Sequence, residues 1–298
     1  MTQVAAIAAV LTLTLTLAGP APAAAQANTG TAPAAAPQDL DPDLRPVPAE
    51  PDFTLGALPT TLRLAARKGV FHMTHRFTRP VNEGSFGDFM SDFFGLDSSS
   101  RVGLEVRYGL RPGTQAALHR TNDRTIQFSA QHEFLVQTVE RPFTLHGLLT
   151  IEGRNNFGLS DEIALPDADV FSSAIGVVLS HRIGTRGAVY LQPIIVINSN
   201  VDPAFAAEPG HSALLGLAGR YRLSRAGRAY VFAEFVPRVA GFDQGVHHFS
   251  FGIEERIGQH VFQFNVSNSL GTTMAQLARG GPDNNDWFIG FNLTRKFY

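Results

Sequence analysis

Apolar and polar residues alternate one for one near the C-terminus. Trp287, Ile289, Phe291, Leu293 and Phe297 fall on one face of an extended chain, and Gly290, Asn292, Thr294 and Lys296 on the other. Successive side chains of a strand point to opposite sides, so this period marks a strand lying between two different environments. Phe262, Phe264 and Val266 repeat it against Gln263, Asn265 and Ser267, and Val102, Leu104, Val106, Tyr108 and Leu110 repeat it against Arg101, Gly103, Glu105, Arg107 and Gly109. Leu145, Leu149 and Ile151 do so against Thr144, His146, Thr150 and Glu152. The pattern predicts strands at about 62–79, 100–111, 114–121, 125–138, 143–153, 170–183, 187–198, 211–223, 228–239, 246–257, 259–268 and 286–298. These twelve segments make an even number, as single-chain bacterial barrels have, with lengths that suit tilted strands crossing a bilayer. The expected fold is all-β: a closed, antiparallel, up-and-down transmembrane β-barrel of about twelve strands.

The connections test this independently. With the N-terminus on the periplasmic side, the periplasmic turns fall at Pro112-Gly113, Arg141-Pro142, Gly184-Thr185-Arg186, Ser224-Arg225-Ala226 and Gly258, all short. The external connections include the long stretches 80–99, 154–169, 199–210 and 269–285, with 122–124 and 240–245 shorter. Long and short alternate by parity, as in outer-membrane barrels. A soluble sandwich has no reason to obey that rule.

Composition narrows the class. Only 17% of the 298 residues are charged, where soluble domains carry about a quarter, and 23 are Phe. The net charge of -2 comes without a polybasic tract and excludes nucleic acid as an expected partner. Cysteine is absent from the sequence, which removes disulfides, thiolate metal sites, c-type haem attachment and a lipoprotein anchor. No cofactor is implied.

The apolar run of residues 5–18, broken by Gly19-Pro20 and followed by small residues, predicts a signal peptide over 1–27, cleaved near Ala25 or Ala27. Its start carries no positive side chain, the first being Arg45. Residues 28–60 hold Pro33, Pro37, Pro42, Pro46, Pro48, Pro51 and Pro59 among Ala, Asp and Glu, and predict an extended, mobile periplasmic linker. The barrel is then expected over 61–298.

Gly258 to Ser269 resembles the penultimate strand of a bacterial barrel family catalogued only as a domain of unknown function, and Gly290 to Arg295 resembles its closing strand. His75-Arg76-Phe77, Phe94-Gly95-Leu96-Asp97 and Arg101 to Glu105 resemble its first hairpin, and Gly219 to Leu223 its middle. The resemblance spans about residues 62–298 and implies an outer-membrane β-barrel without implying an activity.

The polar strand faces are expected to line the lumen with Arg76, Arg101, Glu105, Arg107, Glu133, Glu152, Arg220, Arg222, Glu234, Arg238, Glu254 and Arg256. Two readings stay open: rings of charge in a narrow pore, or Arg–Glu pairs that fill and stiffen the interior. Loop 80–99, with Phe86, Phe89, Phe93 and Phe94, either folds inward as a constriction or packs on the rim. Phe291, Leu293, Phe297 and Tyr298 form the expected signal to the outer-membrane assembly machinery. The ten histidines form no metal pattern, and the carboxylates at Asp161-Glu162, Asp167, Asp169, Asp283 and Asp286 match no calcium loop. Ser180-His181 are neighbours facing opposite ways, while His248 and Ser250 share a face; no Gly-x-Ser-x-Gly elbow occurs and no catalytic residues are assigned. The first functional reading is a narrow small-solute channel or transport-related barrel. The second is a sealed scaffold that holds a periplasmic partner, and the third an outer-membrane hydrolase. The expected partners are outer-membrane lipid, the assembly machinery, and a small solute or a periplasmic protein.

Overall fold

The computed structural model describes residues 42–92, 95–157, 171–200, 207–224, 227–282 and 286–298. The signal-peptide segment and the carboxylates at 161–169 and 283 lie outside them.

The strands are β1 (Gly69–Phe77), β2 (Ser100–Arg111), β3 (Thr114–Thr121), β4 (Ile126–Leu135), β5 (Thr144–Gly153), β6 (Phe171–Ile183) and β7 (Gly187–Ile197). They continue with β8 (His211–Arg222), β9 (Ala229–Val236), β10 (Arg238–Gly241), β11 (His248–Ile257), β12 (His260–Ser267) and β13 (Phe288–Lys296). All pairings are antiparallel, and β1 pairs with β13 from Val70↔Lys296 to Arg76↔Gly290, closing the sheet. Closure leaves no edge for lipid to face. β9 and β10 run in sequence along β8 on either side of Pro237, which lacks the N–H a continuous ladder needs. The barrel is therefore twelve courses round, with β10 as one extra strand.

Alternation decides what faces where. Leu104, Val106, Tyr108 and Leu110 on β2, Leu149 and Ile151 on β5, and Phe262 and Phe264 on β12 are exposed on the outer wall. An apolar surface this continuous suits acyl chains rather than water. Aromatic residues gather near both rims: Phe249, Phe251 and Trp287 meet edge to face or tilted at the long-loop rim, and Arg186 lies over Tyr221 at the short-turn rim. Even β3, whose alternation is poor because Ala116 and Ala117 stand on opposite faces, keeps the period, with Gln115, Ala117, His119 and Thr121 inward.

The largest departure from the sequence expectation lies inside. Residues 42–60 were expected to be a mobile linker, and 62–68 the start of the first strand. Instead Ala49 to Leu55, Leu58 to Leu62, Leu64 and Ala65 are buried, and strand pairing starts only at Gly69. The chain enters by the short-turn rim, climbs into the barrel, turns at Leu55-Gly56-Ala57-Leu58 and descends to β1. A small hairpin results, with Leu55 N–H donating to Leu58 O (2.8 Å) and Thr60 N–H to Phe53 O (2.8 Å). Phe53, Leu62 and Leu64 cluster with Val70 and draw Tyr298 against them, so the alternation of 62–68 serves the interior.

The described part of loop 80–99, which leaves out Phe93 and Phe94, is not the inward segment. Its helix, Phe86–Ser91, is exposed, with Phe86 at 61% and Met90 at 43% of their full accessible areas. The loop between β12 and β13 enters instead, through a helix at Met274–Arg279 whose residues 274–278 are all buried. Small and apolar side chains, Met-Ala-Gln-Leu-Ala, let it fit where an aromatic-rich, Asp88-bearing helix does not.

Candidate functional site: the occupied lumen

The inner wall has two unlike halves. Across β6 to β9 it is mainly apolar: Val178, Ala188, Ile194, Val196, Leu214, Phe232 and Val236 form one core with Leu55 and Leu58 of the hairpin and Met274 and Leu277 of the inner helix, while Gln192, Arg220 and Glu234 are buried among them. Across β11 to β13 and β1 to β4 it is polar, with buried Ser250, Glu254, Gln263, Asn292, Thr294, His72, Arg76, Gln115 and Gln131.

Polar side chains of both halves supply what the hairpin backbone lacks, with Gln192, Arg220 and Glu234 coming from the mainly apolar side. A hairpin alone in a barrel leaves its outward N–H and C=O groups without a ladder partner, and each such buried group costs about 1–3 kcal/mol if unmet. Wall side chains meet them along its length. Lys296 Nζ donates to Pro51 O (2.8 Å), Arg220 to Asp52 O (3.2 Å) and Thr54 O (2.6 Å), and Gln263 to Leu55 O (3.0 Å). Gly56 O accepts from Arg76 (3.0 Å) and Asn292 (2.9 Å). Gln192 donates to Pro59 O (2.9 Å), Gln131 to Thr60 O (3.2 Å), and Gln115 Oε1 accepts from Leu64 N–H (2.9 Å).

Glu234 holds the tip. Its carboxylate accepts the Ala57 and Leu58 N–H groups at 2.8 and 3.0 Å, the Ser250 hydroxyl at 2.8 Å and lies 2.9 Å from His248 Nε2. A side chain at Gly56 would put its Cβ 2.3 Å from Ser250 Oγ and 2.6 Å from Glu234 Oε1, so glycine is what lets the turn seat here. The other ring nitrogen of His248 lies 2.6 Å from Ser269 Oγ, on the loop that carries the inner helix. Glu234, His248 and Ser269 therefore bridge the two inserted segments. They are also a nucleophile, base and acid in contact, but the hydroxyl sits on Nδ1 and the acid on Nε2, and plug amides occupy the carboxylate. The residual lumen cavity does not reach Ser269. The arrangement is that of a structural bridge.

The inner helix is anchored in the same way. Met274 N–H donates to Gln127 Oε1 (2.9 Å) and Ala275 N–H to Glu152 (3.2 Å), while Gln276 donates to Asp123 (3.2 Å) in the β3–β4 turn. Asp123 also pairs with Arg101 at 2.7 Å. Partial burial pushes the Asp123 carboxyl up, but the Thr121 hydroxyl, the Arg101 guanidinium and Thr125 outweigh it and hold the group below its ordinary value.

The twelve charged residues assigned to the lumen thus take different stations. Arg76, Arg220 and Glu234 grip the hairpin, and Glu152 grips the inner helix. Arg220 and Glu254 form a fully buried ion pair (2.7 Å), and Arg107 and Glu105 a largely buried one (2.8 Å). Glu133 pairs with Arg63 (3.1 Å), which reaches Asp43 (2.8 Å) where the plug enters. Arg238 donates to the carbonyls of Gly245 and Arg279 at 2.9 Å each. Arg101 and Arg256 are half-buried near opposite rims, and Arg222, also half-buried, is not brought to the hairpin by any of these contacts. No ring of charge forms among them. Sequence reasoning missed the neutral half of the grip, Gln115, Gln131, Gln192, Gln263 and Asn292, together with Lys296; their inward parity was the available signal. Of the expected assembly residues, Phe291, Leu293 and Phe297 lie on the outer face, and Tyr298 turns inward against Phe53's cluster. Among the described residues no group of three or more His, Asp or Glu is placed to hold a metal ion.

No curated protein matches the sequence. Among solved structures, the COG4313 outer membrane channel of Pseudomonas putida F1 is similar at 11% identity and a TM-score of 0.49, over 79% of this chain and 97% of that one. Omp33 of Acinetobacter baumannii is similar at 9% identity and 0.41, over 79% and 100%, and the outer membrane phospholipase A of Escherichia coli at 12% and 0.42, over 77% and 90%. None of these likenesses carries a function to this chain. A family match covers residues 54–297, taking in the tip and descending arm of the hairpin as well as every strand; the chain belongs to the family described as a membrane bound beta barrel domain (DUF5777).

Proposed function

We propose that the protein is an outer-membrane transport barrel held closed by its own N-terminal segment. The observation that carries this reading is the hairpin at 49–65, buried in the lumen and bound to the wall largely through polar side chains. Such a wall stays compatible with water once the hairpin leaves, because Arg, Glu, Gln and Asn find solvent partners where an apolar core does not. The short-turn rim, where the segment enters, is then periplasmic, and a periplasmic pull on the chain before Asp43 is the natural way to withdraw it. Phe291, Leu293, Phe297 and Tyr298 serve the assembly machinery on this reading. A sealed scaffold is the second reading, favoured by the apolar contacts of Leu55 and Leu58 with Ile194 and Leu214.

The test is ion conductance in planar bilayers. The full mature chain is expected to be silent, and a chain lacking 46–60 to show stable openings. Because that deletion removes core contacts, a full-length Arg76→Ala, Glu234→Ala variant is measured beside it, with flickering openings expected. Verified insertion of both variants without conductance would overturn the gated-barrel reading in favour of the scaffold.

A further inference from the structure

The lumen is not filled evenly. Leu55 and Leu58 press the hairpin onto the apolar half of the wall, and a cavity of about 40 Å³ remains on the polar half, between the hairpin and β1 to β5, roofed by Thr272 and Met274. Four polar atoms on its lining residues, His72 Nε2, Thr74 Oγ1, His119 Nε2 and Thr272 Oγ1, have no hydrogen-bond partner among the described residues, though every one of these side chains is more than nine-tenths buried. His72, Glu105 and His119 stand in one cross-strand row on β1, β2 and β3. Beside them the wall recedes at Gly103, where a Cβ would lie 2.2 Å from His119 Nε2 and 2.6 Å from Thr74 Oγ1. Gly103 thus makes room for the His119 and Thr74 side chains, and the cavity beside them is edged with donors and acceptors that lack partners.

We propose that this cavity is a solute site of the barrel, selective for a small neutral solute carrying both hydrogen-bond donors and acceptors, of the size of urea. The inference rests on the transport reading and names its substrate class. Size follows from the volume, which holds about three waters by the same measure. Neutrality follows from charge: among the described residues the full charges on the lining are Arg107 and Glu105, which neutralise each other at 2.8 Å. A bare ion entering there finds no free counter-charge to offset its lost hydration. Imidazole nitrogens and hydroxyls, which both donate and accept, match a neutral amide or polyol instead. On this proposal urea reaches the site while the hairpin stays in the lumen.

Urea and guanidinium share size and shape and differ in charge, so they make the discriminating pair. Proteoliposomes holding the full mature chain are shocked with urea or with guanidinium chloride, and swelling is followed by light scattering. The expected result is urea entry above that of empty vesicles with no guanidinium entry. Thr74→Val, which removes one hydroxyl at constant shape, should slow urea about fivefold, the effect of one hydrogen bond. Gly103→Val, whose side chain would collide with His119 and Thr74 and push them into the cavity, should abolish entry. Equal entry of both solutes, or urea entry untouched by Thr74→Val, would overturn the proposal. Absence of urea entry while the chain lacking 46–60 conducts ions would overturn it too, leaving the gated barrel standing. Absence of both would remove the two readings together.

Discussion

At the scale of single residues, the lumen is governed by a few buried charges that bind plug backbone as well as other side chains. Glu234 is the sharpest case. Glu234→Ala strips the acceptor from two hairpin amides, Ser250 and His248 at once. Hydrogen bonds to a charged group are worth about 1.5–3 kcal/mol each, so local opening of the tip should become easier by at least about 2 kcal/mol. Faster amide exchange at Ala57 and Leu58, with strand amides unchanged, is the expected readout. Arg220 gives a second prediction. Arg220→Met leaves Glu254 buried and unpaired and should destabilise the barrel by about 3–5 kcal/mol, while adding Glu254→Met should restore part of it. Recovery stays incomplete because Arg220 also serves Asp52 O and Thr54 O. Urea midpoints of the two variants in detergent check this. Asp123 supplies the pH dependence. Its folded value is depressed, so its contribution is present above the ordinary 3.8 and is lost as pH falls through the lower folded value. Acid should loosen the inner helix through Gln276, and Asp123→Asn should remove that acid dependence, as read from exchange at residues 274–279.

At the scale of elements, the strands were legible because each is set by its own period of two, a local signal. The predicted 114–121 is the observed β3, and the predicted 228–239 differs chiefly by the break at Pro237. The hairpin was not legible for the opposite reason. Its partners, from Gln115 to Lys296, are scattered over the sequence and brought together only by closure. Proline and alanine gave 28–60 the look of a linker, yet Phe53, Leu55 and Leu58 set its last part apart from the Ala-Pro stretch before it. That change of texture was the available sign. Charged residues on the inner face could be placed by parity, but pairing with a plug could not be read from parity alone. The inner helix was hidden in the same way, since six residues with a Thr273 cap carry too weak a period to stand out inside a long loop.

At the scale of the whole molecule, two kinds of physics share one barrel. The outer wall is solved by lipid and by closure of the ladder. The inner wall solves a harder problem, a polar surface too wide for its own side chains to fill, by admitting two segments of the same chain from opposite rims. Their junction at Glu234, His248 and Ser269 couples them, so withdrawal of the hairpin should also loosen the inner helix. The claim underneath all of this is that residues 49–65 occupy the lumen in the membrane-embedded protein. Hydrogen exchange read by mass spectrometry on the reconstituted full chain tests it without altering a residue. The amides of Leu55, Ala57, Leu58, Thr60 and Leu64, all bonded in the lumen, should exchange as slowly as those of β1. Exchange of that stretch at the rate of a free peptide, beside protected strands, would contradict the plugged barrel outright.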